Sequence, residues 1–222
     1  MLFYDILASI IHDMKNSLGM VINRLDEIVD ELPAEINKSA KIAAIQHEAR
    51  RLNNNLIELL TLYRMENERI SPVIDEVYVD DFLQEIVAEN QSIADASKVA
   101  LTCNCDEELC GYFDEGLVHG IINNLIGNAL RYTESRIEIS AEDSDGYLVI
   151  SVEDDGVGFT DAMLDAQNAD RVSNGIGDGR TLLGIHFAKM IAQMHQNKDR
   201  SGYIKLSNNN QLKGGCFSIY LP

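Results

Sequence analysis

Along the first third of the chain, apolar residues recur at alternating steps of four and three. Leu7, Ile11, Met14, Leu18, Val21, Leu25, Ile28 and Leu32 form one run, and after Pro33 a second takes in Ile42, Ile45, Ala49, Leu52, Leu56, Leu59 and Tyr63. A strict repeat of this kind is the seam of a coiled coil or four-helix bundle, because it keeps one stripe of each helix turned to its neighbour. The pattern predicts an antiparallel helical hairpin turning near Asn37-Lys38. Two such helices leave apolar surface uncovered, so the expected solution is a dimer whose two hairpins complete one four-helix bundle. Ser71-Pro72 breaks the pattern, since the residue before a proline is pushed out of the helical region. The expected division is therefore a hairpin over residues 1–70 and a second domain over residues 71–222.

Beyond the break the period changes repeatedly. Val77–Val79 reads as a short strand, with Asp80 or Asp81 capping a helix that runs to about Ala96. Val99–Asn104 and Gly111–Phe113 read as strands, followed by a helix through NNLIGNALRYT. Ile137–Ile139 and Leu148–Val152 alternate as a hairpin across Asp145-Gly146. Residues 159–179 have no clear period and read as a flap, with Gly175, Gly177 and Gly179 as hinges. Leu182–His195 is helical by period, and Tyr203–Leu206 with Cys216–Leu221 makes a closing hairpin. The fold class is α+β: a helical hairpin followed by an α/β sandwich with a mixed sheet and helices on one face.

Composition narrows the partners. A net charge of −18 over 222 residues argues against nucleic acid, because phosphate contacts need Lys and Arg. It favours partners with basic patches. Cys103, Cys105 and Cys110 do not follow a zinc spacing, and with Cys216 they read as reduced thiols. Met1–Ile11 is too short to span a bilayer and Asp5 interrupts it, so the chain is expected to be cytoplasmic with no membrane span.

Two clusters carry chemistry. Asn124 and Asn128 are one helical turn apart, so both carboxamides can face a metal-bound polyphosphate. Asp154-Asp155-Gly156-Val157-Gly158 supplies a carboxylate acceptor for an exocyclic amine and two positions where backbone approaches a ligand closely. Together they predict a nucleotide site. On the first helix, His12 falls just outside the seam and is expected to face solvent. Asp13 beside it can hold the Nδ1 proton and leave Nε2 nucleophilic, and Asn16 lies one turn further on the same side.

These residues resemble the catalytic core of a bacterial sensor histidine kinase, a dimerisation and phosphotransfer hairpin joined to an ATP-binding domain of the histidine kinase, gyrase and Hsp90 superfamily. His12-Asp13-Met14-Lys15-Asn16 resembles the phosphoacceptor box, Asn124 through Thr133 the asparagine box, and Asp154 through Gly158 the first glycine box. The resemblance implies ATP and Mg²⁺ as cofactors, with Asn128 and Asn124 at the metal and phosphates. It also implies that Asp154 reads the adenine amine, that Gly156 and Gly158 shape the pocket, and that Arg131 and Tyr132 flank the nucleotide. Its departures are Ser17 for the usual proline, and a second glycine box in which only Gly184 remains. Gly175, Gly177 and Gly179 by a shifted register, or Arg180 directly, are the candidates to replace the missing phosphate contacts.

The leading expectation is an ATP-dependent protein histidine kinase that phosphorylates His12 and passes the phosphoryl group to an Asp on a response regulator receiver domain. Asn16 is then placed to align water for dephosphorylation. The alternatives are a histidine phosphotransferase with a degenerate, non-ATP-binding kinase-like domain, and a nucleotide switch with no phosphoacceptor.

Overall fold

The computed structural model describes residues 2–31, 71–167, 182–208 and 211–222, with the helical residues Ile42, Ile45, Gln46, Glu48, Ala49, Leu52, Asn53 and Leu56. For residues 2–9, His12, Asp30, Glu31, Ala166, Leu182 and Leu183 only the backbone is described. The chain separates into two compact units, Met1–Ile70 and Ser71–Pro222.

In the first unit, helix α1 (Leu2–Glu31) runs without interruption through Ser17, where no proline removes a backbone donor. Its apolar stripe divides into two. Ile11 is buried and Leu18 and Leu25 are half-buried, whereas Met14, Val21 and Ile28 are 52%, 55% and 57% exposed. The second run divides in the same way, with Ile42, Ala49 and Leu56 half-buried and Ile45 and Leu52 exposed. Among the described residues, one position of each seven-residue repeat is covered and the other is presented outward. Gln46 Nε2 donates to Asp26 Oδ1 at 2.7 Å, which ties the second run to α1. The expected turn at Asn37-Lys38 lies outside the described residues.

The second unit is built on a five-stranded sheet in the order β2-β4-β5-β9-β8. Its strands are β2 (Ala100–Asn104), β4 (Arg136–Ser144), β5 (Tyr147–Asp154), β8 (Tyr203–Asn208) and β9 (Gly215–Leu221). Only β2 and β4 run parallel, so the sheet is mixed as the sequence predicts. Beside it β1 (Asp75–Tyr78) pairs with β3 (Cys110–Phe113), and β6 (Gln196–Asn197) pairs with β7 (Arg200–Ser201).

One sheet face carries the core, because alternate residues point the same way. Ile137, Ile139, Ile150 and Ile219 on that face are fully buried under helices α2 (Val79–Ser97), α3 (Glu115–Tyr132) and α5 (Leu182–Met194). These supply Leu83 and Ile86, Ile122 and Ile126, and Ile191. The other face is more polar, with Ser151 and Ser218 paired through their hydroxyls at 2.7 Å.

Three expectations need correction. Neither Asp80 nor Asp81 caps α2: strand β1 passes straight into the helix at Tyr78, and both carboxylates lie in the first turn. There they stabilise the helix through its dipole rather than by a cap bond. The flap is not wholly aperiodic, because α4 (Asp161–Ala166) forms within it after Thr160. The small hairpin β6–β7 has no apolar alternation to announce it, and the sequence reading omits it.

Candidate functional site

Helix α3 starts at Asp114, whose Oδ1 accepts from Leu117 N at 2.9 Å. That cap fixes the axial position of Asn124 and Asn128. Their carboxamides meet on one helix face, with Asn128 Nδ2 donating to Asn124 Oδ1 at 2.8 Å. Both line a cleft between α3, α5 and the sheet. Ile121, Leu125 and Ala129 of α3, Ile185 and Ala188 of α5, and Val152 and Phe217 of the sheet make its walls apolar. Gly184 stands opposite the asparagines, and a Cβ there would lie 3.1 Å from Asn124 Nδ2.

The other polar group of the cleft is Asp154 at the end of β5, beside Tyr132 at the end of α3. Asp154 Oδ1 accepts from Gly156 N at 2.8 Å and Gly215 N at 3.4 Å. Gly214 has no room for a side chain, since a Cβ would lie 2.6 Å from that same oxygen. With a rise of about 1.5 Å per residue, Asn124 and Asn128 lie roughly 12 Å and 6 Å back along α3 from Tyr132. The cleft thus has a carboxylate near one end, a carboxamide pair towards the other and apolar walls between. That arrangement fits a flat heterocycle bearing a polyanionic tail, and a tail-bound cation would meet Asn124 and Asn128.

Supporting residues that the sequence reading leaves without a role hold this geometry. Asp155 turns away from the cleft and gathers the chain that follows α3. Burial alone would raise its pKa, but hydrogen bonds from Ser135, Thr133 and Arg136 outweigh it and hold the carboxyl far below the usual range. Gly156 abuts the Tyr132 carbonyl, where a Cβ would fall 2.2 Å from the oxygen, and Gly158 takes a left-handed φ of 71°. Asn208 clamps the next residue at both ends: Oδ1 accepts from Phe159 N at 2.6 Å, and Nδ2 donates to Phe159 O at 2.7 Å. Gln167 pairs likewise with β8, accepting from Leu206 N at 2.8 Å. The 159–167 segment is therefore fixed to an edge strand by two amide side chains.

The remaining expected residues are distributed as follows. Arg131 is exposed, does not line the cleft, and lies with Cζ 5.6 Å from the Tyr132 ring centroid. Gly158 lines the cleft and Gly156 does not. His12, Asp13 and Asn16 are on α1, with Asp13 and Asn16 exposed, and the His12 side chain lies outside the described residues. So do Gly175, Gly177, Gly179 and Arg180. His119, a helix α3 residue outside those expectations, does not line the cleft, and its Nε2 lies 2.9 Å from Glu89 Oε2 on α2. All four cysteines are free thiols, and burial with the charge of Asp80 raises Cys103 and pushes Cys105 up to about 11. Among the described residues no His, Cys, Asp and Glu cluster is arranged to hold a metal ion alone, and no helix is long and apolar enough to cross a membrane.

The sandwich has the fold of the ATP-binding domain of histidine kinases. Residues 113–222 match the model of the family described as histidine kinase-, DNA gyrase B-, and HSP90-like ATPase. Sensor protein SrrB of Staphylococcus aureus is 27% identical over 229 residues, an overlap covering 98% of this chain and 38% of that protein. The chain thus spans well under half the length of the curated relatives it matches. Among solved structures, Acinetobacter baumannii histidine kinase AdeS is 19% identical with a TM-score of 0.61, over 95% of this chain and 96% of that one. Full-length ShkA in complex with AMPPNP is 19% identical with a TM-score of 0.67, over 98% of this chain and 45% of that one.

Proposed function

We propose that this chain is an ATP-dependent protein histidine kinase that phosphorylates itself on His12 and passes the phosphoryl group to an Asp of a response regulator. The observation that carries the reading is the joining of Asn124, Asn128 and Asp154 in one apolar cleft. The sequence relation to a sensor protein over nearly the whole chain, and the fold shared with ShkA, solved in complex with AMPPNP, support it. In this reading Asp154 accepts the adenine amine, Tyr132 and the apolar walls hold the base, and Asn124 and Asn128 hold the metal-bound phosphates. Mg²⁺ supplies charge neutralisation at those phosphates. His12 Nε2 attacks the γ-phosphorus, the bond to the bridging oxygen breaks, and ADP leaves. Asp13 accepts the Nδ1 proton in a hydrogen bond and keeps Nε2 available for attack. The protein contributes position and electrostatics more than covalent chemistry.

Dimerisation through the first unit completes the reading. Met14, Val21 and Ile28 present the uncovered half of a heptad repeat, which a second copy would bury. Substitution at the cleft separates the two chemical steps. Asn128→Ala is expected to abolish autophosphorylation from Mg-ATP while His12 still accepts phosphate from a phosphorylated regulator. Loss of both reactions together would contradict the division of labour.

A further inference from the structure

Asp155 makes none of the nucleotide contacts proposed above, yet it joins the two motifs that do. Its Oδ1 accepts from Glu134 N at 2.9 Å, Ser135 N at 3.0 Å, Arg136 N at 3.1 Å and the Thr133 hydroxyl. Oδ2 accepts from the Ser135 hydroxyl at 2.6 Å. In return Asp155 N donates to Arg136 O at 3.3 Å. The donors run from Thr133, directly after α3, to Arg136, the first residue of β4, and Asp155 directly follows β5. One residue further on, Gly156 sits against the Tyr132 carbonyl with no space for a side chain. The C-terminal end of α3 is therefore fastened to the end of β5 by one carboxylate and one close backbone approach.

This fastening has a consequence for the cleft. Asn124 and Asn128 ride on α3, and Asp154 ends β5. A helix moves as a rod, so sliding α3 by one residue's rise of about 1.5 Å would carry both carboxamides that far relative to Asp154. Positioning errors of this size cost a ligand that must meet both groups far more than one that meets a single group. We propose that Asp155 is a positioning residue that sets the span between the adenine end and the phosphate end of the cleft. The inference rests on the nucleotide reading above.

The test compares two ligands on the full chain: Mg-ATP, which meets both ends, and adenosine, which meets only the Asp154 end. Affinities come from displacement of a fluorescent ATP analogue, with adenosine taken to millimolar concentration. Asp155→Ala is expected to weaken Mg-ATP at least tenfold and adenosine less than threefold. Asp155→Asn keeps one acceptor but turns an amide towards the Ser135 donors, and falls between Ala and wild type. The paired change Thr133→Val with Ser135→Ala keeps the backbone half of the clamp and guards against misfolding of the single variants. It is expected to weaken Mg-ATP about threefold and leave adenosine unchanged. Equal losses for both ligands, or no loss for either, would overturn the inference and leave the nucleotide reading intact. Wild-type protein that binds Mg-ATP but not adenosine would contradict two separable ends. Wild-type protein that binds neither overturns the nucleotide reading and this inference with it.

Discussion

His195 is buried between two helices and holds both. Its Nε2 accepts from Asp114 N at 3.0 Å, at the cap of α3, and its Nδ1 donates to Ile191 O at 2.8 Å on α5. Both nitrogens are committed to a neutral ring, and burial lowers its pKa against the raising effects of Ile191 and Asp114. The unfolded chain therefore takes up a proton at higher pH than the folded one. Stability is full above the unfolded histidine value of about 6.5 and declines as pH falls below it. The thermal midpoint of residues 71–222 is expected to drop between pH 7.5 and 5.5. His195→Gln should lower stability by about 1–3 kcal/mol at pH 7.5 for the disturbed buried hydrogen bonds and flatten that decline. An unchanged pH slope in the variant would assign the effect to other groups. Gly156→Ala makes a steric prediction at the same scale: a Cβ 2.2 Å from Tyr132 O must displace backbone, at a cost of about 1–3 kcal/mol. Urea unfolding measures it, and a cost below 0.5 kcal/mol would contradict the close approach. Such residues mark the limit of the sequence reading. That Asp154, Asn124 and Asn128 share one cleft is expected from motifs local in sequence. The contacts of Asp155 and Asn208 are not, since Asn208 meets Phe159 across 49 positions and only the fold brings them together.

Elements were more legible than their joints. Asp145-Gly146 forecasts a two-residue hairpin with positive φ at both positions, and the structure has φ 54° and 76° there. The pattern predicts the helix after β1 but not its start, because a strand enters the helix directly at Tyr78 with no polar cap to mark it. For α1, the three-four repeat located the apolar stripe but could not say which half the chain would cover itself. That division carries a prediction. Val21→Glu places a charge on the exposed half, and is expected to give a monomer by analytical ultracentrifugation at micromolar concentration with helicity unchanged by circular dichroism. A variant that stays dimeric would place the interface elsewhere.

At the scale of the molecule, the second unit has its own sheet, core and cleft, whereas the first depends on long apolar stripes half left uncovered. A fragment of residues 71–222 is expected to unfold cooperatively and bind Mg-ATP with the affinity of the full chain, while lacking an acceptor for the phosphoryl group. Loss of nucleotide binding in a folded fragment would mean that the cleft is incomplete without the first unit. The net charge of −18 adds a kinetic expectation, that association with a basic regulator surface slows as ionic strength rises. The sequence reading reached this two-part architecture through the change of period at Ser71-Pro72. It could not reach how α3 and β5 are fastened, which depends on packing rather than pattern.

In the proposed function, the nucleotide bound at Asn124, Asn128 and Asp154 phosphorylates His12. Incubating the full chain with γ-labelled Mg-ATP tests it most directly. Acid-labile, base-stable label is expected on the protein and is expected to disappear in His12→Gln, a variant that still binds Mg-ATP. Label that persists in that variant, or a wild-type protein that binds Mg-ATP and takes up no label, would contradict it.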